Sequence, residues 1–243
     1  MQMTSDLCLE SDEVCRYFHH VTPCPECPGI SKTSSCLSKK PCIRKSVCCI
    51  AVLRGRDDIA WQGMFFNKVA PNEPKRVHAE AQLVRCSALL DALASAPALQ
   101  ELRLWLTFQP CHYSGGDDKT QSTLSCTELL RQLHEQHLQR SGVRLRIKIA
   151  NVYRAHWSRL REATTHMRCI LSSRSGIALL KTFADVDAFA PEDWVFVESL
   201  CKGGVTVPTE HCVARRIMDA HNSAFLRSGK WQCPTRRSPF SVV

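Results

Sequence analysis

The sequence contains an imidazole, two thiols and a carboxylate in the order that a catalytic zinc centre needs. His78 and Glu80 form an H-x-E triplet, 29 residues separate Glu80 from Pro110, and Cys111 and Cys126 follow. Imidazole nitrogen and thiolate sulfur are preferred zinc ligands, and a catalytic zinc site combines three protein ligands with an open fourth position. The order therefore predicts one Zn²⁺ held by His78, Cys111 and Cys126, with Glu80 as the catalytic proton carrier.

The imidazole and the carboxylate belong to a predicted helix. Apolar residues at helical spacing predict this helix over residues 77–93, with His78 and Glu80 in its first turn. Side chains two residues apart point to different sides of a helix, but at its N-terminus both can reach one point ahead of it.

Both cysteines lie at the ends of predicted elements. Cys111 follows a strand predicted over residues 102–108. Ser125, with a glutamate three residues later, opens a capping box that places Cys126 at the start of a helix over residues 127–139. The positive end of a helix favours thiolate and hydroxide, and zinc lowers the pKa of bound water to about 7.

The remaining patterns predict a layered α/β fold. Apolar residues with strand-like spacing occupy residues 47–54, 59–66, 102–108 and 143–152. Further helical patterns cover residues 157–170, 176–183, 191–200 and 211–225. We expect three layers, with a central, roughly five-stranded mixed sheet and helices on both faces.

Composition divides the chain into three predicted parts. Residues 1–45 form a cysteine-rich N-terminal extension, residues 46–225 form the catalytic domain, and residues 226–243 form a basic C-terminal tail. Eight of the 15 cysteines lie within the first 49 residues, and one pair, Cys24 and Cys27, has C-x-x-C spacing. These thiols are expected to bind structural zinc or to remain free. Disulfides are the alternative, and they would require export.

The distribution of charge favours a polyanionic partner. The net charge is +9, and residues 140–174 contain nine basic residues and one acid. Such a concentration of positive charge attracts nucleic acid, although a solvated basic face is the alternative. No run of 18 apolar residues is present, so no membrane partner is expected.

The chain resembles the AID/APOBEC-like zinc-dependent cytidine deaminases over roughly residues 46–200. The resemblance is carried by H-A-E at residues 78–80, by an aromatic residue and P-C at 108–111, and by the strand LRIKIANVY at 145–153. It implies a cytidine-deaminase-like fold and hydrolytic attack at C4 of a flipped-out cytosine, giving uracil in single-stranded DNA or RNA. Deamination of free nucleosides or of structured RNA, and a non-catalytic zinc-stabilised nucleic-acid-binding module, are the alternatives.

The same resemblance implies roles for substrate-binding residues. Asn67 corresponds to an asparagine that contacts the sugar of the target nucleotide, and Tyr153 to an aromatic residue that packs against the flipped base. Trp157 lies in the same loop, and Arg154 occupies a position that sets sequence context. Candidates for phosphate contacts are Arg144, Arg146, Lys148, Arg154, Arg159 and Arg161.

One departure from the family concerns the third ligand. The family has P-C-x-x-C, whereas 14 residues separate Cys111 from Cys126 in this chain. His112 is therefore an alternative ligand, but the capping box favours Cys126. The first 15 residues lack the pattern of a secretory signal, so we expect a cytoplasmic or nuclear protein. Secretion is the alternative, because branches of the family are cysteine-rich and secreted.

Overall fold

Seven strands, six α-helices and one π-helical segment, His134–Leu138, form the regular structure of the described part of the chain. The computed structural model describes residue 18 and residues 47–69, 76–95, 98–112, 124–152, 164–201 and 209–229. The strands are β1 Cys48–Arg54, β2 Ile59–Phe66, β3 Lys68–Val69, β4 Arg76–Val77, β5 Glu101–Phe108, β6 Arg144–Asn151 and β7 Asp185–Ala188. The helices are α1 Ala79–Leu83, α2 Ser87–Ser95, α3 Cys126–Leu133, α4 Thr164–Leu180, α5 Pro191–Ser199 and α6 Thr209–Ser228.

Five of the strands form one mixed sheet in the order β2-β1-β5-β6-β7. β1 pairs antiparallel with β2 and β5, whereas β6 pairs parallel with β5 and β7. The ends of β5 and β6 therefore meet at one edge of the sheet, where Phe108 pairs with Asn151. The predicted α/β class and the five-stranded mixed sheet are confirmed.

Alternate residues of the strands bury into two separate cores. On one face, Cys49, Ala51 and Leu53 of β1 share a cluster with Leu83 of α1 and Leu130 of α3. The opposite face carries Cys48, Ile50 and Val52 of β1, Trp105 of β5, and Trp194 and Val197 of α5. Helices therefore cover both faces of the sheet, as the alternation predicts.

The helix predicted over residues 77–93 is interrupted. α1 ends at Leu83, and α2 begins at Ser87. Between them, the Cys86 N–H donates to the Leu83 carbonyl at 3.0 Å. This hydrogen bond spans three residues, as in a 3₁₀ turn, which is tighter than a turn of α-helix. The break separates a short helix beside His78 from a longer one that buries Leu89 and Leu93.

The C-terminal half differs from its prediction in two places. α4 continues to Leu180, so the patterns at residues 164–170 and 176–180 belong to one helix. β7 was not predicted, because only four residues alternate there: Val186 and Ala188 face inward, and Asp185 and Asp187 are exposed. The helices predicted over residues 191–200 and 211–225 are confirmed as α5 and α6.

Buried polar side chains attach the end of β6 to α6. The Arg215 guanidinium donates to Asn151 Oδ1 at 2.8 Å and to the Ala150 carbonyl at 3.1 Å. Asn222 Nδ2 donates to the same carbonyl at 2.9 Å. Burial lowers the pKa of Arg215, and the nearby Asp219 carboxylate opposes that shift. These contacts hold the last residues of β6 in place at the sheet edge.

Several predictions fall outside the described residues. Tyr153, Arg154 and Trp157 are among them, as are residues 230–243 of the basic tail and the N-terminal extension apart from Phe18. Phe18 itself is fully buried, and its ring stacks on Phe189 with centroids 5.9 Å apart. Within the described ranges, no helix has both the length and the apolar composition needed to cross a bilayer.

Candidate metal centre

The first turn of α3 fixes the position of Cys111. The Thr127 N–H donates to the Cys111 carbonyl at 3.1 Å, and Thr127 Oγ1 donates to the same oxygen at 3.0 Å. The Cys126 N–H lies 3.4 Å from Cys111 Sγ. The predicted capping box is present: Ser125 Oγ accepts from the Glu128 N–H, and the Glu128 carboxylate accepts from the Ser125 N–H. The backbone N–H groups at this helix start, which have no partner within the helix, are therefore used to hold Cys111.

The three predicted ligands converge on one point. The imidazole nitrogen of His78 and the two sulfurs of Cys111 and Cys126 all lie within 4.8 Å of one another. His78 Nδ1 is 3.2 Å from Cys126 Sγ and 3.5 Å from Cys111 Sγ. A tetrahedral zinc site, with bonds near 2.0 Å to nitrogen and 2.3 Å to sulfur, separates these atoms by about 3.5 Å. This group can hold a metal ion, and its donor set fits zinc.

His78 reaches the centre from just before α1 rather than from its first turn. It is the N-cap residue, with extended backbone angles of φ −71° and ψ 153°, and Glu80 is the second residue of the helix. Within a helix, side chains two positions apart point to different sides. Because His78 has extended rather than helical backbone angles, its side chain can approach the same point as that of Glu80.

Glu80 is buried beside the three ligands. Its relative exposure is 3%, and burial, together with the nearby Cys111, raises the pKa of its carboxyl group. It shares a hydrogen bond with Cys126. Its Oε2 atom, by contrast, is buried and has no hydrogen-bond partner among the described residues. A buried acceptor without a partner is costly, so this oxygen is held in a position that serves no structural contact described in the fold.

The Cys126 thiol does not ionise readily by itself. A hydrogen bond with Cys111 and burial of the side chain both raise the pKa of Cys126. The helix N-terminus alone therefore does not provide the thiolate that the sequence predicts. Because zinc binds thiolate sulfur, ligation by Cys126 depends on the charge of the cation to displace the proton.

Asn67 lies at the site and supports its geometry. Asn67 Oδ1 accepts a hydrogen bond from the Ala79 N–H at 2.9 Å, and the Asn67 N–H donates to the Val47 carbonyl at 3.0 Å. It thus caps the start of α1 from outside the helix. A contact with a nucleotide sugar stays a prediction.

His112 does not join the ligand group among the described residues. Its Cβ lies 2.9 Å from the position that a Cβ on Gly176 of α4 would occupy, so His112 packs against that helix. Of the two alternatives left by the sequence, the structure places Cys126 with His78 and Cys111.

Two neighbours of the centre were missed in the sequence. Thr127 holds the Cys111 carbonyl, and its place in the first turn of a capped helix was the available signal. Cys49 of β1 lies close to Glu80: burial and the Glu80 charge raise the pKa of the Cys49 thiol. Nothing local in the sequence indicates that Cys49 is close enough to Glu80 to feel its charge.

Two of the basic residues predicted to contact phosphates form ion pairs on the sheet. Arg146 Nε lies 3.1 Å from a Glu101 oxygen and 3.5 Å from an Asp185 oxygen. Lys148 Nζ lies 3.6 Å from an Asp193 oxygen, and that carboxylate is almost completely buried. Their positive charges are thus compensated within the fold.

A scan against protein-family models and a search of curated proteins each find no match to the chain.

Proposed function

We propose that this chain is a zinc-dependent hydrolytic deaminase of the AID/APOBEC kind, with a cytidine-deaminase-like fold, that converts cytosine to uracil in single-stranded DNA or RNA. The observation that carries the proposal is Glu80, a buried carboxylate beside the His78, Cys111 and Cys126 group with one oxygen unbonded among the described residues. One histidine, two cysteines and a glutamate that is not a ligand are the set used by zinc deaminases.

His78, Cys111 and Cys126 would hold the ion. Zinc in such a site supplies a nucleophile at neutral pH by lowering the pKa of coordinated water to about 7. Glu80 would accept one proton from the attacking water and pass it to the ring nitrogen of cytosine. It would then carry the second proton of that water to the amino group, which leaves as ammonia. Burial raises the pKa of the Glu80 carboxyl group, which makes its carboxylate a stronger base than an exposed one.

The buried carboxylate also weighs against a purely structural zinc module. A structural site needs only its ligands, whereas an additional buried carboxylate with an unbonded oxygen lowers stability. The presence of Glu80 therefore favours a catalytic zinc site over a purely structural one.

Nucleic acid as the substrate is supported by the net charge of +9 and by the family resemblance. The ion pairs of Arg146 and Lys148 indicate that the contacts with phosphates come from other basic residues. The remaining candidates are Arg144 at the start of β6, and Arg154, Arg159 and Arg161 in the segment that follows β6.

The test is a deamination assay on cytosine in single-stranded DNA and RNA oligonucleotides, with free cytidine as a competing substrate class and Glu80→Gln as the control. We expect uracil in an oligonucleotide from the wild-type chain, and a loss of about 10²- to 10⁴-fold in Glu80→Gln. Turnover of cytidine alone would overturn the proposed substrate. Equal activity in Glu80→Gln would remove the carboxylate from the mechanism.

A further inference from the structure

One face of α4 supports the segment that carries Cys111. Ser173 Oγ accepts a hydrogen bond from Gln109 Nε2 at 3.0 Å. Three residues later, Gly176 lies against His112. Residues three apart share one face of a helix, so α4 contacts the segment from Gln109 to His112 on both sides of Cys111.

Gly176 is the point of closest approach in this contact. A Cβ at this position would lie 2.9 Å from His112 Cβ and 3.5 Å from its Cγ. Real Cβ atoms do not approach other carbons so closely, and His112 Cβ is attached directly to the backbone beside Cys111. Relief of the clash therefore requires either that backbone or α4 to move.

The same position also borders the start of α3. A Cβ at Gly176 would lie 3.4 Å from Thr127 Oγ1, the atom that donates to the Cys111 carbonyl at 3.0 Å. Thr127 directly follows the ligand Cys126 and is fully buried. Gly176 thus touches the neighbours of two of the three predicted ligands.

Glycine is an unfavourable residue inside a helix, and Gly176 lies well inside α4. A glycine in the interior of a helix commonly has a packing reason, and the approach to His112 and Thr127 supplies one.

We propose that Gly176 is a positioning residue for the metal centre: its lack of a side chain lets α4 hold Cys111 and Cys126 at the spacing that one ion requires. The inference rests on the proposed zinc site and deepens it, because it assigns the geometry of the ligands to a helix that contributes none of them.

The experiment compares zinc affinities measured by competition with a chromogenic chelator. The variants are Gly176→Ala, His112→Gly and their combination, and Ser175→Ala is the matched control because it alters the adjacent position of the same helix. We expect Gly176→Ala to weaken zinc binding by about tenfold or more, a typical effect of residues that orient ligands, and Ser175→Ala to change it less than about twofold.

The combined variant tests whether the loss of zinc affinity in Gly176→Ala arises from the clash with His112. Loss of His112 Cβ removes the 2.9 Å clash, so in the His112→Gly background the Gly176→Ala change should cost much less affinity. If Gly176→Ala alone fails to fold, the combined variant should still fold and bind zinc. A combined variant that does neither would contradict the inference.

Two other results have distinct meanings. Wild-type zinc binding with an unchanged affinity in Gly176→Ala overturns the role of Gly176 alone. A wild-type chain that binds no zinc overturns the metal site, and this inference with it.

Discussion

The structure buries two carboxylates in opposite ways, and the contrast separates a structural charge from a reactive one. Asp193 is 2% exposed, and Glu80 is 3% exposed. Asp193 Oδ1 accepts from Trp105 Nε1 at 2.8 Å, and its Oδ2 accepts from the Ala190 N–H at 2.9 Å. Lys148 Nζ adds a positive charge 3.6 Å away. Every oxygen of Asp193 is used, so this carboxylate holds α5 against the sheet.

Glu80 shows the opposite arrangement. One of its oxygens is buried without a partner among the described residues, although three side chains that could hold a metal ion lie beside it. A fold stabilises itself by bonding its buried charges, as it does around Asp193. An oxygen left unbonded next to a candidate metal centre is what a reaction that moves protons would require.

The strongest way to break this contrast is to neutralise Glu80. Glu80→Gln keeps the size of the side chain but cannot carry a proton, so we expect oligonucleotide deamination to fall about 10²- to 10⁴-fold. Because one carboxylate oxygen has no hydrogen-bond partner among the residues that the structure describes, the free energy of unfolding should stay within about 1 kcal/mol of wild type. Urea denaturation of the same samples measures it, and a large loss of stability would show that Glu80 is structural.

The matching change at Asp193 should have the reverse result. Asp193→Asn replaces one acceptor by a donor that faces the Trp105 or Ala190 N–H, and it leaves Lys148 without this counter-charge. We expect the free energy of unfolding to fall by about 2–3 kcal/mol. Activity per folded molecule should be preserved. Unchanged stability by urea denaturation would mean that full hydrogen bonding does not mark a structural carboxylate.

Substitutions at Asn67 test whether a polar residue beside the metal centre is structural, functional or both. Loss of its bond from the Ala79 N–H in Asn67→Ala should lower the free energy of unfolding by about 1 kcal/mol, as for helix caps. Asn67→Asp keeps the acceptor and should be nearly as stable as wild type. If the Asn67 side chain also contacts the nucleotide, Asn67→Asp should raise the KM for an oligonucleotide while its thermal unfolding stays close to that of wild type. If Asn67→Asp lost as much stability as Asn67→Ala, the capping role of the side chain would be contradicted.

The smallest effect is expected at Arg146, on the affinity for single-stranded DNA. The positive charge of Arg146 is compensated by Glu101 and Asp185, so Arg146→Gln should change the Kd for single-stranded DNA less than about twofold and leave its dependence on salt unaltered. A decrease of about one in the slope of log K against log salt would instead assign a phosphate contact to Arg146.

Local patterns predicted the elements that are long and regular, and the capping box at Ser125. They missed β7, which has only four residues, the two-residue strands β3 and β4, and the break before Ser87. The chemistry of His78, Cys111 and Cys126 was readable from residue types.

Which residues touch could not be predicted, because those contacts join distant parts of the chain. The Gln109–Ser173 bond and the approach of Gly176 to His112 depend on where α4 docks. The ion pairs of Arg146 depend on an unpredicted strand, β7, which supplies Asp185.

The most direct test of the metal centre is the zinc content of the purified chain compared with Cys126→Ala and His112→Ala. The account predicts that Cys126→Ala contains about one zinc per chain less than the wild type, and that His112→Ala contains as much zinc as the wild type. A wild-type chain without zinc, or zinc lost only when His112 is removed, would contradict it.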